Sequence, residues 1–273
     1  VQSTTLHLLA EEGKLHFDVA IFADPGEEED ATYDHLGWLK ETCKTPLWFR
    51  SVGGRLGDHL ISGRNSTGQR FATIPAFTAE DVSTRPPGKV HEGRVRRQCT
   101  REYKIEVVER AIRRELVGLQ PRQRIPRHVK VHQYFGISTD EAGRAKRAAK
   151  RFEGVSSCVP HWPLIDMGWS RGDCVRYLAT RVPHPVPKSS CVFCPYKTRS
   201  NWIRLKETKP KEWARCVEID EALRRPGVAA NRGMNDKLYL IRTCVPLATA
   251  NLMDLPDDHL YPFTEECQGM CGL

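Results

Sequence analysis

The fold is decided by residues 19–26, which read Val19-Ala20-Ile21-Phe22-Ala23-Asp24-Pro25-Gly26. The first four form an unbroken apolar run, the pattern of a strand buried on both faces of a parallel sheet. The remaining four form a polar turn at the carboxyl end of that strand. This stretch predicts an α/β protein whose ligands bind where the strands end.

Helix and strand patterns alternate on both sides of this strand. We predict helices over residues 3–12 and 28–42, strands over 46–52 and 128–135, and an amphipathic helix over 103–119. The apolar stripe of that last helix comprises Ile105, Val108, Ala111, Ile112 and Leu116. This alternation predicts a mostly parallel sheet flanked by helices.

The pattern changes after residue 160, where helices are joined by proline-rich loops and accompanied by cysteines. We therefore divide the chain into an α/β domain, residues 1–160, and a helical C-terminal part, residues 161–273, packed on the first. The 273 residues leave ample room for a core. No apolar run reaches about 18 residues, so we expect no membrane span.

Charge and cysteine content narrow the function classes. The 42 Lys and Arg residues exceed the 34 Asp and Glu residues by 8. Basic residues cluster in 94–127 and again in 144–151, which favours a polyanion such as nucleic acid or nucleotide phosphate over the alternative, a solvated basic face. Ten cysteines with two close pairs, and no signal-peptide pattern at Val1, favour metal or redox chemistry in a reducing, cytoplasmic setting.

The most specific motif is Cys191-Val192-Phe193-Cys194, followed by Pro195 and Tyr196. Two thiolates three residues apart can hold one iron–sulfur or zinc site, because a tight turn brings both sulfurs within bonding range. A dithiol redox pair is a further alternative. Additional ligands must come from elsewhere in the chain. The candidates are Cys99, Cys174, Cys267 and Cys271.

Cys99 is the strongest of these candidates. It lies in a strongly basic stretch, where cations are expected to lower the pKa of the thiol and favour the thiolate. Cys267 and Cys271, in a glycine-containing terminal segment, could close over a metal site. Cys174 on a predicted helix fits a core position better. We interpret the isolated cysteines as structural; these are Cys43, Cys158, Cys216 and Cys244.

Three further stretches suggest a nucleotide pocket. Val1-Gln2-Ser3-Thr4 begins a predicted helix, where hydroxyl and N–H groups can bind phosphate, although Ser and Thr also cap helices without any ligand. Asp24–Gly26 and Gly136–Arg144 follow two predicted strands that we expect to be adjacent. Together they predict one shared pocket at the sheet edge.

In this order, the motifs resemble the PP-loop ATP pyrophosphatase superfamily and, within it, the phosphoadenosine phosphosulfate (PAPS) reductase-like family, over nearly the whole chain. Val1-Gln2-Ser3-Thr4 is similar to the end of a Ser-Gly-Gly-x-Asp-Ser phosphate loop, with Gln2 where Asp is usual, so glycines are expected ahead of Val1. The resemblance implies an adenine nucleotide alpha-hydrolase-like fold, with residues 1–160 as the PP-loop nucleotide-binding domain.

The resemblance also implies ligands. It implies ATP with Mg²⁺, with Ser3 among the catalytic residues. The implied nucleotide-binding residues are Gln2, Ser3, Thr4, Asp24, Gly26, Gly136, Ser138, Asp140, Glu141 and Arg144. It implies a [4Fe-4S] cluster, with Cys271 and Cys174 as alternatives for its fourth ligand. The implied ligands are Cys99, Cys191, Cys194 and Cys267. Iron–sulfur sulfonucleotide reductases carry a double cysteine where this chain has Cys99 alone, and they use a C-terminal nucleophilic cysteine that Cys267 loosely matches.

Two subclasses of the family compete. One reduces activated sulfate in PAPS or its unphosphorylated analogue. The other cleaves ATP to adenylate a nucleic-acid oxygen for sulfur insertion, as in DNA phosphorothioation or tRNA thiolation. Gln2, the basic stretch and the single Cys99 favour the second, with DNA a better candidate than tRNA, a cysteine desulfurase or other sulfur donor as partner, and room for a homodimer. A zinc-stabilised nucleic-acid-binding protein without catalysis is the third alternative.

Overall fold

The computed structural model describes residues 1–68, 74–79, 93–225 and 236–256. Outside residues 98–116, its α-helices are α1 (Gln2–Glu11), α2 (Asp30–Thr42), α3 (Leu56–Ser62), α6 (Ala142–Ala149), α7 (Pro163–Asp166), α8 (Arg171–Ala179), α9 (Arg199–Thr208) and α10 (Pro210–Ala222). Its strands are β1 (Ala20–Ala23), β2 (Leu47–Arg50), β3 (Phe77–Ala79), β4 (Gly93–Arg94), β5 (Val131–Tyr134), β6 (Cys158–His161) and β7 (Lys237–Tyr239). No helix within these ranges has both the length and the apolar character needed to span a bilayer.

The strands form three small sheets. β1 pairs in parallel with β2, with Ala20 opposite Leu47, and β5 pairs in parallel with β6, with Val131 opposite Cys158. β3 pairs antiparallel with both β4 and β7. The prediction of parallel strands flanked by helices is confirmed at this level. A single, mostly parallel sheet is not formed by the described residues, and the full adenine nucleotide alpha-hydrolase-like fold stays a prediction.

The helix predicted over 103–119 departs most from its pattern. It is a helical run made of α4 (Gln98–Thr100), a π-helical segment (Arg101–Ile105), α5 (Glu106–Ala111) and a second π-helical segment (Ile112–Leu116). A π turn holds more residues than an α turn and shifts the faces that follow it. As a result Val107 is buried in place of the predicted Val108, and Leu116 is 39% exposed. The predicted stripe was therefore wrong at these two positions.

The largest hydrophobic core joins the two predicted parts of the chain. It packs Leu60 of α3 with Phe193, Trp202 of α9 and Ile219 of α10, all of which are almost completely buried. Helices α3 and α10 are also neighbours in space. The two parts therefore share one core, and a boundary at residue 160 stays a prediction.

A buried acidic run, Glu27-Glu28-Glu29, connects β1 to α2 and organises the elements around it. The Glu27 carboxylate accepts hydrogen bonds from Arg215 Nη2 of α10 at 2.7 Å and from Arg55 Nη2 at 3.1 Å. It also accepts one from the backbone N–H of Gly57 in α3, at 3.1 Å. One fully buried carboxylate thus joins the β1–α2 connection to two helices.

Glu29 makes the equivalent connection to α9. Its carboxylate lies 2.6 Å from Lys197 Nζ and 2.7 Å from Arg204 Nη2. Burial by itself would raise the pKa of Glu29, but these two cations outweigh it and hold the pKa below its usual value. Glu29 is therefore ionised, and the acidic run as a whole is paired within the protein and not solvated.

We expect the substitution Glu27→Gln to lower the free energy of unfolding by about 1.5–3 kcal/mol, because it weakens the charge-assisted hydrogen bonds of a fully buried carboxylate and leaves Arg215 with only its half-exposed partners, Asp58 and Glu218. Urea denaturation measures this directly. The matched control is Glu218→Gln, which removes a half-exposed carboxylate bound to the same arginine at 2.8 Å and should cost less than about 1 kcal/mol. Equal losses in the two variants would contradict the organising role of Glu27.

Candidate functional site

The Cys191–Cys194 turn is fixed at both ends. The Cys194 N–H donates to the Cys191 carbonyl at 3.0 Å, which closes the turn. Cys191 forms an antiparallel bridge with Glu28, and the Val192 N–H donates to the Glu27 carbonyl at 2.7 Å. Val192 and Phe193 are buried in the main core. The acidic run and the core thus hold this turn in one conformation.

Cys99 joins this turn from the start of the helical run. After the larger effect of burial, Cys194 raises the pKa of Cys99, and both Cys194 and Cys99 raise the pKa of Cys191. Cys99 and Cys191 also pack against the same core. The structure therefore brings together three of the four predicted cluster ligands, although they lie far apart in sequence. The fourth, Cys267, and its alternative Cys271 lie outside the described residues.

The thiols of Cys99 and Cys191 are protonated when no metal is bound. Burial raises the pKa of Cys99 to about 11, against the opposing effects of Arg97 and Lys104. Burial, and next Glu28, raise the pKa of Cys191 well above its usual value. The expectation that nearby cations would lower the pKa of Cys99 was wrong, because desolvation outweighs them. Metal binding here would displace protons from the sulfurs.

Buried charges surround the three cysteines. Lys104 Nζ donates to Glu28 Oε1 at 3.3 Å, and Ser189 Oγ donates to Glu28 Oε2 at 3.0 Å. Burial alone would lower the pKa of Lys104. Glu28, Cys191 and Cys99 raise it by more, so the pKa lies above its usual value and the ammonium is charged. Sequence reasoning missed Glu28, because a carboxylate at a helix start is ordinarily solvated. The only signal was three consecutive glutamates beside a buried strand.

The spacing of the sulfurs bears on which metal group fits. Within the described ranges, Cys99, Cys191 and Cys194 do not form a group whose sulfurs all lie within 4.8 Å of one another. One tetrahedral zinc would hold its sulfurs roughly 3.8 Å apart. A cluster of several irons reaches ligands that are farther apart. The separation of these sulfurs does not by itself select one of the two groups, so the iron–sulfur cluster stays a prediction.

Cys174 does not belong to this group. It is completely buried in a separate core with Leu6, Leu9 and Leu164, so its interpretation as a core residue is confirmed. Cys174 is therefore wrong as an alternative for the fourth ligand. Cys216 is also buried, and its thiol donates to the Val192 carbonyl at 3.1 Å.

The start of α1 lies against the Gly136–Arg144 segment. The first hydrogen bond within α1 joins the Thr5 N–H to the Val1 carbonyl at 2.9 Å, so the N–H groups of residues 2–4 lie ahead of the helical ladder. A Cβ atom on Gly136 would come within 2.8 Å of the Ser3 nitrogen. The glycine thus allows the backbone of this segment to touch the helix start.

Side chains reinforce this contact. Gln2 Nε2 donates to Ser138 Oγ at 2.9 Å and also to the Glu141 carboxylate, which accepts a further bond from Arg144 Nη1 at 2.6 Å. Asp140 accepts hydrogen bonds from Ser138 Oγ, at 3.3 Å, and from the backbone N–H of Arg171. The structure thus brings Gln2, with Ser3 exposed next to it, to the predicted residues of 136–144.

Thr4 and the Asp24–Gly26 stretch face elsewhere. Thr4 is buried, and its hydroxyl lies 2.9 Å from His35 Nε2. Asp24 Oδ1 accepts hydrogen bonds from the Gly26 N–H at 2.7 Å and the Tyr33 hydroxyl at 2.9 Å. The expectation that Asp24 and Gly136 follow adjacent strands was wrong for the described residues, because β1 and β5 lie in different sheets. A left-handed φ of 73° explains the glycine at Gly26.

Cations and an aromatic ring flank the cysteine turn. The guanidinium groups of Arg94 and Arg97 lie 5.2 and 5.6 Å from the ring centre of Tyr196, two residues after Cys194. Such an arrangement offers a nucleic acid both a stacking surface and phosphate-binding charge. Other residues of the basic stretch pair within the protein, as Arg101 does with Glu106 at 2.9 Å.

Comparisons with protein-family models, with curated proteins and with solved structures each gave no match. The resemblance to the PAPS reductase-like family therefore stays a prediction from motifs. Any assignment of function depends on the residues of this chain and their geometry.

We expect Cys99→Ser, Cys191→Ser and Cys194→Ser each to reduce bound iron and acid-labile sulfide at least severalfold in anaerobically purified protein, because each removes one ligand sulfur. The matched control is Cys158→Ser, since Cys158 is also half-buried and its pKa is also raised, by burial, to about 11. Metal and sulfide analysis measures the outcome. Unchanged iron in the Cys99→Ser variant would contradict the three-cysteine site.

We expect Gly136→Ala to lower the free energy of unfolding by about 1–3 kcal/mol, because its methyl group would press on backbone atoms of α1. The control is Gly143→Ala in α6, where a methyl group would meet only Arg147 Nη1, at 3.7 Å. That change should leave stability equal or slightly raised. If urea denaturation finds Gly136→Ala as stable as the wild type, the close approach is refuted.

Proposed function

We propose that the chain is an iron–sulfur PP-loop ATP pyrophosphatase of the PAPS reductase-like family, which adenylates nucleic acid, DNA in preference to tRNA, for sulfur insertion such as DNA phosphorothioation. The observation that carries this proposal is the gathering of Cys99, Cys191 and Cys194 at one partly buried position beside the main core. A [4Fe-4S] cluster, in preference to zinc, is the metal group of this proposal. A cysteine desulfurase or another sulfur donor would act with the protein.

Charge balance supports a cluster at this position. Thiolates and a buried carboxylate are costly to bury together unless cations offset them. Lys104 Nζ lies 3.3 Å from Glu28, and Glu28, Cys191 and Cys99 raise the pKa of Lys104 and so favour its charged form. Arg97 in turn lowers the pKa of Cys99 and partly offsets the effect of burial. When bound, a cluster with one iron not ligated by the protein would supply a place to hold sulfide.

The start of α1 supports the ATP step. A nucleic-acid oxygen would attack the α-phosphorus of ATP, forming one P–O bond while the bond to the leaving pyrophosphate breaks. The N–H groups at residues 2–4 would stabilise the phosphate charge. Asp140 and Glu141, linked to Gln2 directly or through Ser138, offer carboxylate oxygens for Mg²⁺, which neutralises the departing pyrophosphate. Adenylation would turn the oxygen into a good leaving group, AMP.

The position of Tyr196 supports a nucleic-acid substrate. Stacking of a base on an aromatic ring contributes about 1–3 kcal/mol. With Arg94 and Arg97 over the ring and Cys194 two residues away, a strand bound at Tyr196 would pass beside the cysteines. The activated oxygen and the sulfur source would then lie on one face of the protein.

We expect the holoprotein to release pyrophosphate from ATP, and DNA to stimulate this release. Tyr196→Ala should weaken DNA binding roughly tenfold through lost stacking. Arg97→Gln should weaken it in a salt-dependent way. The matched control is Arg181→Gln, because the Arg181 guanidinium also lies over an aromatic ring, 3.9 Å from the ring centre of Tyr177 in α8. This change should leave the stimulation by DNA unchanged. Pyrophosphate release and DNA binding across a salt series are the measurements.

The alternatives give different results in the same preparations. A sulfonucleotide reductase would form sulfite from PAPS or its unphosphorylated analogue, and Cys267→Ser would abolish that activity. A zinc-stabilised binding protein would contain zinc without iron or labile sulfide. Holoprotein that bound neither ATP nor nucleic acid at low salt would refute the proposed function.

A further inference from the structure

We propose a second metal site, a zinc site formed by His7, Glu11 and Cys43. One ligand atom from each side chain lies within 4.8 Å of the other two, which makes this the one such group among the described residues. It is separate from the cysteine turn and does not depend on the proposed function. Cys43 is isolated in the sequence and was interpreted as structural, but His7 and Glu11, more than thirty residues away in the chain, lie beside it.

Local structure explains why the three residues meet. His7 and Glu11 are four residues apart on α1, so they lie on the same helix face. Cys43 follows the last residue of α2. The loop after it is held to α1 because the Lys44 and Thr45 N–H groups donate to the Glu11 carboxylate, at 2.9 and 2.8 Å.

The donor set suits zinc. Sulfur, nitrogen and oxygen together favour Zn²⁺ over Mg²⁺ or Ca²⁺, which prefer oxygen alone. One thiolate and one carboxylate balance the charge of a divalent ion. His7 is buried, whereas Glu11 and Cys43 are partly exposed, so an ion and a water as fourth ligand can enter from solvent.

The surrounding hydrogen bonds are those of an outer ligand shell. His7 Nε2 donates to the Thr45 carbonyl at 3.2 Å, which orients the ring. The Lys44 and Thr45 backbone N–H groups and the Thr45 side chain donate to the Glu11 carboxylate, which has about four lone pairs and so keeps room for a metal.

Two helix ends add a favourable field. Helix α1 ends at Glu11, and α2 ends at Thr42 with Cys43 as its C-cap. The carboxyl end of a helix carries partial negative charge, which favours a cation. Both ends meet at this cluster. A bound ion would therefore tie α1, the helix that begins at the proposed phosphate site, to the loop before β2.

Zinc analysis of the full chain, purified anaerobically with iron and zinc supplied, tests the site. We expect about one zinc per chain, and X-ray absorption at the zinc edge should show one sulfur at about 2.3 Å with nitrogen and oxygen at about 2.0–2.1 Å. Cys43→Ser should weaken zinc binding at least tenfold in competition with a chelator. Cys158→Ser, the matched control, should keep the zinc.

Other variants separate this site from the cysteine turn. Cys99→Ser should lose iron and keep the zinc with its one-sulfur spectrum. If Cys43→Ser fails to fold, His7→Gln and Glu11→Gln should each weaken zinc binding at least tenfold in the same competition. A zinc spectrum with three sulfurs, unchanged zinc binding in the ligand variants, or no bound zinc in the wild type would each overturn the proposal.

Discussion

The structure depends on the burial of three consecutive carboxylates, Glu27–Glu29, between β1 and α2. A buried charge without a partner is among the most costly features that a protein can contain. Each of these carboxylates therefore requires a cation or donor from another element, and α3, α9, α10 and the first π-helical segment supply them. The positions of these elements follow from that requirement as much as from apolar packing.

The cysteine site depends on the same buried carboxylates. Glu28 is bonded through its backbone to Cys191 and through its side chain to Lys104, which influences the pKa of Cys99. The ligand sulfurs, the cation and the carboxylate thus form one electrostatic unit, in which the removal of any member changes the charge felt by the others. Apolar packing at Phe193 fixes where that unit lies.

Sequence patterns predicted the parts of this protein that depend on local rules. β1 and the ends of α1 and α2 followed from apolar runs and periodicity, and the Cys191–Cys194 turn followed from spacing. Patterns could not show how strands associate, because pairing is decided by contacts between distant segments. Nor could they show that desolvation would outweigh cations at Cys99, or that Glu27–Glu29 would be buried, since both depend on neighbours remote in sequence.

The π-helical segment at Arg101–Ile105 has a consequence of its own. Geometrically it amounts to one residue inserted into an α-helix, and one residue turns everything beyond it by about 100° around the axis. Cys99 lies before this insertion, while Val107 and Ala111, buried at 3% and 2% exposure, lie after it. The inserted residue therefore sets the angle between the helix face that carries Cys99 and the face that buries Val107 and Ala111. Without it, one of these two faces would point away from the residues that it now contacts.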